Sequence, residues 1–367
     1  MKFVCNGLDL CDAILKVSKA VGIKTTNPVL EGVRITAKED TVSFFATDLE
    51  LSIEKKIKAD VRIEGEAVVP GKYFADFVRK LDKEQVEITL NDKRQLRISY
   101  MDSEGFLQCL SSEEYPLIER VDTGKYFSLK QKDLKDLIGK TVFSAATEDS
   151  RPILKGVLLD LKQNEMTAVA LDGYRLSLVR KKAENSSGDA RLVVPARTLS
   201  EISKLLNDAE ETVTVHLHQN SVMIEVEGTT IISRLLEGEF IRYEQIIPTE
   251  FSSQITVQRE QFEDGLERAA ILSKNDKNNL VKFDIKEKVL TLVSNSEIGN
   301  IKENIPISLH GKDLLIAFNA RYFSEALKNT NDEFLRMNFT SAVSPCVIKP
   351  VEGEEFLFLI LPVRIVS

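Results

Sequence analysis

The chain has 367 residues, 43% of them hydrophobic and 29% charged, with no Trp and a net charge of −8. That length suits two or three domains with more than one buried core, and the composition excludes a disordered chain and a disulfide scaffold. The acidic balance excludes a uniformly basic nucleic-acid coat and leaves room for a locally basic stripe.

The N-terminus, Met1 to Gly7 followed by Asp9 and Asp12, lacks the apolar core of a signal peptide, and no window has the apolar length of a membrane span. Leu8, Ile14 and Leu15 then lie at helical spacing in a stretch that reaches Val21. Strand-like runs follow at 33–35, 42–46 and 51–57. A second helical stretch begins after Pro70, with Phe74, Phe77, Val78 and Leu81 on one side. Alternating Val86, Ile88, Leu90 and Leu96, Ile98, Tyr100 close this unit. Val213, Val215, Leu217 and Val222, Ile224, Val226 repeat that close farther on. Each unit reads as α+β, two helices packed on mainly antiparallel strands. Cys5, Cys11, Cys109 and Cys346 form no CxxC and read as reduced thiols of a cytoplasmic protein.

The units are copies. Pro28-Val29-Leu30-Glu31-Gly32-Val33 matches Pro152-Ile153-Leu154-Lys155-Gly156-Val157, and Asp48 matches Asp172, both at a shift of 124. Val68-Val69-Pro70 matches Val193-Val194-Pro195 at a shift of 125. The extra residue is expected in the stretch Asp172-Gly173-Tyr174-Arg175-Leu176, set against Asp48-Leu49-Glu50-Leu51. A fainter third copy sets Ala317 on Val68 and aligns Phe74, Leu199 and Phe323. Polar, turn-rich segments near 119–124 and 248–254 predict domains at 1–122, 123–252 and 253–367.

The second helix of each copy starts with a cation, Lys72, Arg197 or Arg321. Seven residues later stand Arg79, Lys204 and Lys328, about two turns on and on the same face. The first helices add Lys16, Lys19 and Lys24, then Lys132, Lys135 and Lys140, then Arg259, Arg268 and Lys274. Any one of these suits a solvated helix face. Two matched positions kept through three divergent copies of an acidic chain point to a polyanion, met through sequence-independent phosphate contacts.

Signs of catalysis are absent. Gly65 to Gly71-Lys72 misses the P-loop spacing, and Tyr73 stands where Ser or Thr belongs. GxGxxG, HExxH and GxSxG do not occur. His216 and His218 alternate along a strand without nearby Cys, so no metal or cofactor is expected. Asp48 and Asp172 read as turn residues that bond local backbone, not as catalytic carboxylates. The chain closes on an apolar run, with 356–360 expected as a buried last strand that Pro362 interrupts. The tail beyond it suits the wall of a peptide groove.

Thr47-Asp48-Leu49-Glu50, Asp172-Gly173-Tyr174-Arg175-Leu176 and Leu361-Pro362-Val363-Arg364 together resemble the bacterial DNA polymerase III beta subunit family, along the whole chain. The resemblance implies a non-enzymatic processivity ring. Two copies would join head to tail, with strands outside and twelve helices around duplex DNA. Lys24, Lys72, Arg79, Arg197, Lys204, Arg321 and Lys328 would then face phosphates. A groove for short linear motifs of the replicative polymerase, the clamp loader and repair and translesion polymerases is implied between the second and third domains. Its walls would be Leu154, Leu171, Gly173, Tyr174, Arg175, Leu176, Ile241, Ile246, Val343, Leu359, Leu361, Pro362, Val363 and Arg364. Leu171, Ile241 and Val363 depart from the Thr, Pro and Met common there. Phe106, Leu107, Ile271 and Leu272 take the places of the family's dimer contact.

Overall fold

The structure, a computed structural model, describes residues 1–23, 25–81, 84–112, 114–116, 124–148, 151–273 and 279–364. Lys24 and Lys274 lie outside the described residues. Among the described residues six helices fall in three pairs: α1 (Gly7–Val17) with α2 (Gly71–Val78), α3 (Gln131–Val142) with α4 (Ala196–Leu205), and α5 (Arg259–Ser273) with α6 (Ala320–Leu327). The helix read through Val21 ends at Val17 and tightens into a 3₁₀ turn, Ser18–Ala20. Asn6 caps α1 by accepting from the Leu8 and Asp9 amides, and Asn319 caps α6 through the Arg321 amide. Phe74, Leu199 and Phe323 are all buried, each four positions into its helix.

Each pair packs on antiparallel strands, and the sheets do not stop at unit boundaries. In a nine-stranded sheet, Leu51–Lys58 of the first unit pairs with Thr229–Arg234 of the second. In a twelve-stranded sheet, Arg175–Lys182 of the second pairs with Phe356–Ile360 of the third. The last strand ends at Ile360 and is buried throughout, as its apolar sequence and the following Pro362 require. Equivalent edges remain open at the far ends of the chain. Ser103–Gln108 borders the five-stranded sheet. The first half of Gly299–Gly311 pairs on one side only, with Val289–Ser296.

The repeated Pro-x-Leu-x-Gly has a packing cause. Pro28–Glu31 and Pro152–Lys155 are 3₁₀ turns that deliver Gly32 and Gly156 against the neighbouring edge strand. A Cβ would stand 2.5 Å from Val68 Cγ1 at Gly32 and 2.6 Å from Val193 Cγ1 at Gly156, so neither position has room for one.

The extra residue lies elsewhere than the sequence comparison placed it. Thr47 pairs with Ser52 and Leu171 with Leu176, so the two turns are equal in length. The insertion falls after the following strands, before Gly65–Pro70 in one copy and Ala190–Pro195 in the other. All four cysteines are free, and burial pushes the Cys5 thiol up to about 12. Among the described residues no helix is long and apolar enough to cross a membrane.

Candidate nucleic-acid interface and partner groove

The matched cations hold their expected places. Lys72, Arg197 and Arg321 are second in their helices; Arg79 and Lys328 are C-caps, and Lys204 lies in the last turn. All six are exposed. The sequence reading missed a third recurrent position. Asp76, Glu201 and Glu325 recur with the same spacing, three residues before the later cation. Arg79 pairs with Asp76 at 3.0 Å and Lys204 with Glu201 at 2.7 Å. Lys328 pairs with Glu267 at 3.0 Å, which holds its ammonium above the ordinary lysine range. These exposed pairs are weak and open readily to a competing anion. The first helices are charge-balanced as well. Lys16, Lys132, Lys135, Lys140, Arg259 and Arg268 all have carboxylate partners.

Asp48 and Asp172 are turn caps. Asp48 Oδ1 accepts from the Glu50 and Leu51 amides at 3.1 and 2.8 Å. Asp172 Oδ1 accepts from the Tyr174 and Arg175 amides at 2.9 and 3.1 Å. One oxygen of each is committed to backbone, and the other accepts from an arginine, Arg197 for Asp48 and Arg175 for Asp172. His216 is half-buried and His218 exposed, and among the described residues no cluster of His, Cys, Asp and Glu is arranged to hold a metal.

The second seam carries a separate apolar cluster. Leu154, Leu171 and Leu176 of the middle unit meet Leu359 of the last strand, with Ile241 and Leu361 packed against them. Phe240, Tyr243 and Val347 complete it, contributions that the sequence reading did not include. Ile246 and Tyr174 stand exposed at the margin, and Gly173 has open space around it. Pro362 and Val363 are half-buried, and Val363 donates to the Ala317 carbonyl at 2.8 Å, which fixes the tail across the third unit. Arg364 is exposed, and Val343 projects from the loop between Phe334–Phe339 and Cys346–Pro350.

Arg175 departs most from a free wall residue. It is 7% exposed. Its Nε donates to Asp172 Oδ2 at 3.0 Å, its Nη1 donates to Glu325, and its guanidinium lies 4.8 Å from the Tyr322 ring centre. Glu325 also takes Arg321 Nε at 2.6 Å. The turn at Asp172 and α6 are thus joined in one ionic network. Burial alone would raise the Glu325 carboxyl, but the bonds from Arg321 and Arg175 outweigh it and hold the group below the usual range.

A carboxyl lowered in the folded state stabilises the fold above its unfolded value, and that contribution is lost as pH falls through the folded value. Glu325→Gln is therefore expected to melt below the wild type by a constant margin from neutral pH to about pH 5, and the margin should close below about pH 4. Thermal unfolding across that range checks it, and a gap that persists unchanged in acid would show that Glu325 does not act through its charge.

Family models for the DNA polymerase III beta subunit match the chain in three parts. The N-terminal domain matches 1–119, the central domain 128–241 and the C-terminal domain 244–364. The beta sliding clamp of Staphylococcus aureus is 32% identical over 356 residues, covering 94% of each chain. The DNA polymerase sliding clamp of Bacillus subtilis superimposes with a TM-score of 0.95 at 32% identity, over the full length of both chains. A Pseudomonas aeruginosa sliding clamp solved bound to griselimycin gives a TM-score of 0.93 at 25% identity, again over both full chains. With matches running from end to end of all three units, the chain belongs to the DNA polymerase III beta subunit family of sliding clamps.

Proposed function

We propose that two copies of this chain close head to tail around duplex DNA, and that the groove at the second seam tethers short linear motifs to the ring. The chain is a DNA sliding clamp of replication, a non-catalytic accessory subunit of the polymerase. What supports the closed ring is the strand pairing. Two seams inside the chain join sheet edges of successive units, and among the described strands one equivalent pair of edges is left open. A second copy satisfies both open edges at once, a closed heterologous arrangement. Phe106, 51% exposed on Ser103–Gln108, and Ile271, 59% exposed on the last turn of α5, provide apolar contact there with Leu107 and Leu272.

Inside the ring, Arg79, Lys204 and Lys328 meet phosphates without reading bases, while enclosure keeps the protein on DNA. The groove walls take motifs from the replicative polymerase, the clamp loader and repair and translesion polymerases, in the cytoplasm. Retention on DNA tests the reading. A clamp assembled on nicked circular DNA is expected to stay bound through gel filtration and to leave once the circle is cut. Sedimentation should give a dimer. Equal loss from circular and linear DNA would overturn enclosure.

A further inference from the structure

The earlier cation of each second helix has different surroundings from the later one. Arg197 crosses the first seam, donating to Asp48 Oδ2 at 2.6 Å and to the Lys19 carbonyl at 3.1 Å. Arg321 is linked across the second seam through Glu325, which it shares with Arg175 and hence with Asp172. Asp48 and Asp172 occupy matched turns that open the two seam strands. At each seam, then, an acidic turn of one unit is tied to the first helical turn on the next. Lys72 alone of the three has no carboxylate partner among the described residues.

The unit that would tie to Lys72 belongs to another copy. Its equivalent turn joins Val289–Ser296 to Gly299–Gly311 and carries Glu297 and Ile298. The acid there stands one residue later than Asp48 and Asp172 and has a longer side chain. Ile298 occupies the place of Tyr174, which stacks on Tyr322 at 6.1 Å with an 18° interplanar angle. The counterpart of Tyr322 is Tyr73. Ile298 is 78% exposed and Tyr73 67% exposed, the two halves of a contact that the single chain leaves unmade.

We propose that Lys72, Arg197 and Arg321 are junction ties of the ring rather than phosphate ligands, and that Lys72 binds the partner's Glu297 while Tyr73 seats the partner's Ile298. This rests on the ring reading above. Repetition also fixes the register of the joining strands. Leu51 pairs with Ser233, and Arg175 with Ile360. The Arg234 amide donates to the Glu50 carbonyl at 2.9 Å, and the Leu361 amide to the Tyr174 carbonyl at 2.8 Å. Carried to the third seam, Leu107 lies opposite the partner's Gly299, and the Gln108 amide donates to the carbonyl of the partner's Ile298.

Charge exchange tests the tie, with dimer dissociation read by sedimentation of the full chain. Lys72→Glu and Glu297→Lys are each expected to weaken the dimer at least about fivefold, and the double exchange to restore it to within about twofold. A second arm separates the two classes of cation. Arg197→Ala should leave the salt dependence of retention on circular DNA unchanged, whereas Lys204→Ala should flatten it. A dimer indifferent to both single exchanges, a double exchange that fails to rescue, or an Arg197→Ala slope as flat as that of Lys204→Ala overturns the proposal while the ring stands. A wild-type chain that stays monomeric overturns both.

Discussion

Changing Arg79, Lys204 and Lys328 together to glutamate is expected to shorten the lifetime of the clamp on circular DNA at least tenfold and to abolish processive synthesis, with the melting temperature nearly unchanged. Two arguments set the size. A ring of two copies presents six such cations, and each phosphate contact contributes about 0.9 to the slope of log affinity against log salt, so a neutralised version should lose up to about 5 from that slope. Reversal goes further, because Asp76, Glu201 and Glu267 remain beside the new carboxylates and the wall turns repulsive. Stability is spared because all three side chains are exposed and give up only surface pairs. Salt titration of retention, set beside thermal unfolding, checks both halves. Unchanged retention across salt would show that phosphates are held from some other face.

The sequence carried the triplication because each copy must bury the same face. Phe74, Leu199 and Phe323 fill one core position, and Gly32 and Gly156 face matched valines, Val68 and Val193. The buried last strand was legible because six apolar residues, Phe356 to Leu361, run up to Pro362. Charge was less legible. Counting cations in a helix gives their positions, but what they do depends on neighbours brought in by other units. Asp48 lies 149 residues from the Arg197 that it holds, and Glu325 lies 150 from Arg175. The turn length was misjudged for a related reason. An insertion is located by cross-strand register, and register is a long-range property that neighbouring residues do not encode. The cluster at the second seam was legible as apolar character alone, since Phe240 and Tyr243 enter it from a stretch without regular period.

Removal of Pro362 and the residues after it is expected to lower the affinity for a polymerase-derived peptide at least about thirtyfold, equivalent to one interface hot spot. On the proposed reading the tail forms the groove wall on the side of the third unit. Pro362 and Val363 are half-buried beside Leu361, and the Val363 amide pins the segment to the Ala317 carbonyl. Its loss lets water onto Leu359 and removes one of the two surfaces between which an apolar side chain would be desolvated. The strand Phe356–Ile360 keeps its pairing with Arg175–Lys182, so the seam itself survives. The open edges at Ser103–Gln108 and Gly299–Gly311 belong to the other end of each unit, and the truncated chain should therefore still dimerise. Ile246→Glu supplies an independent probe from the middle unit, since Ile246 is exposed and its exchange leaves the core intact. Calorimetric titration of the peptide into both variants, beside sedimentation of each, separates the groove from the ring. Peptide affinity that survives both changes would place the motif site elsewhere on the clamp, whereas affinity lost together with the dimer would mean that the two sites share residues.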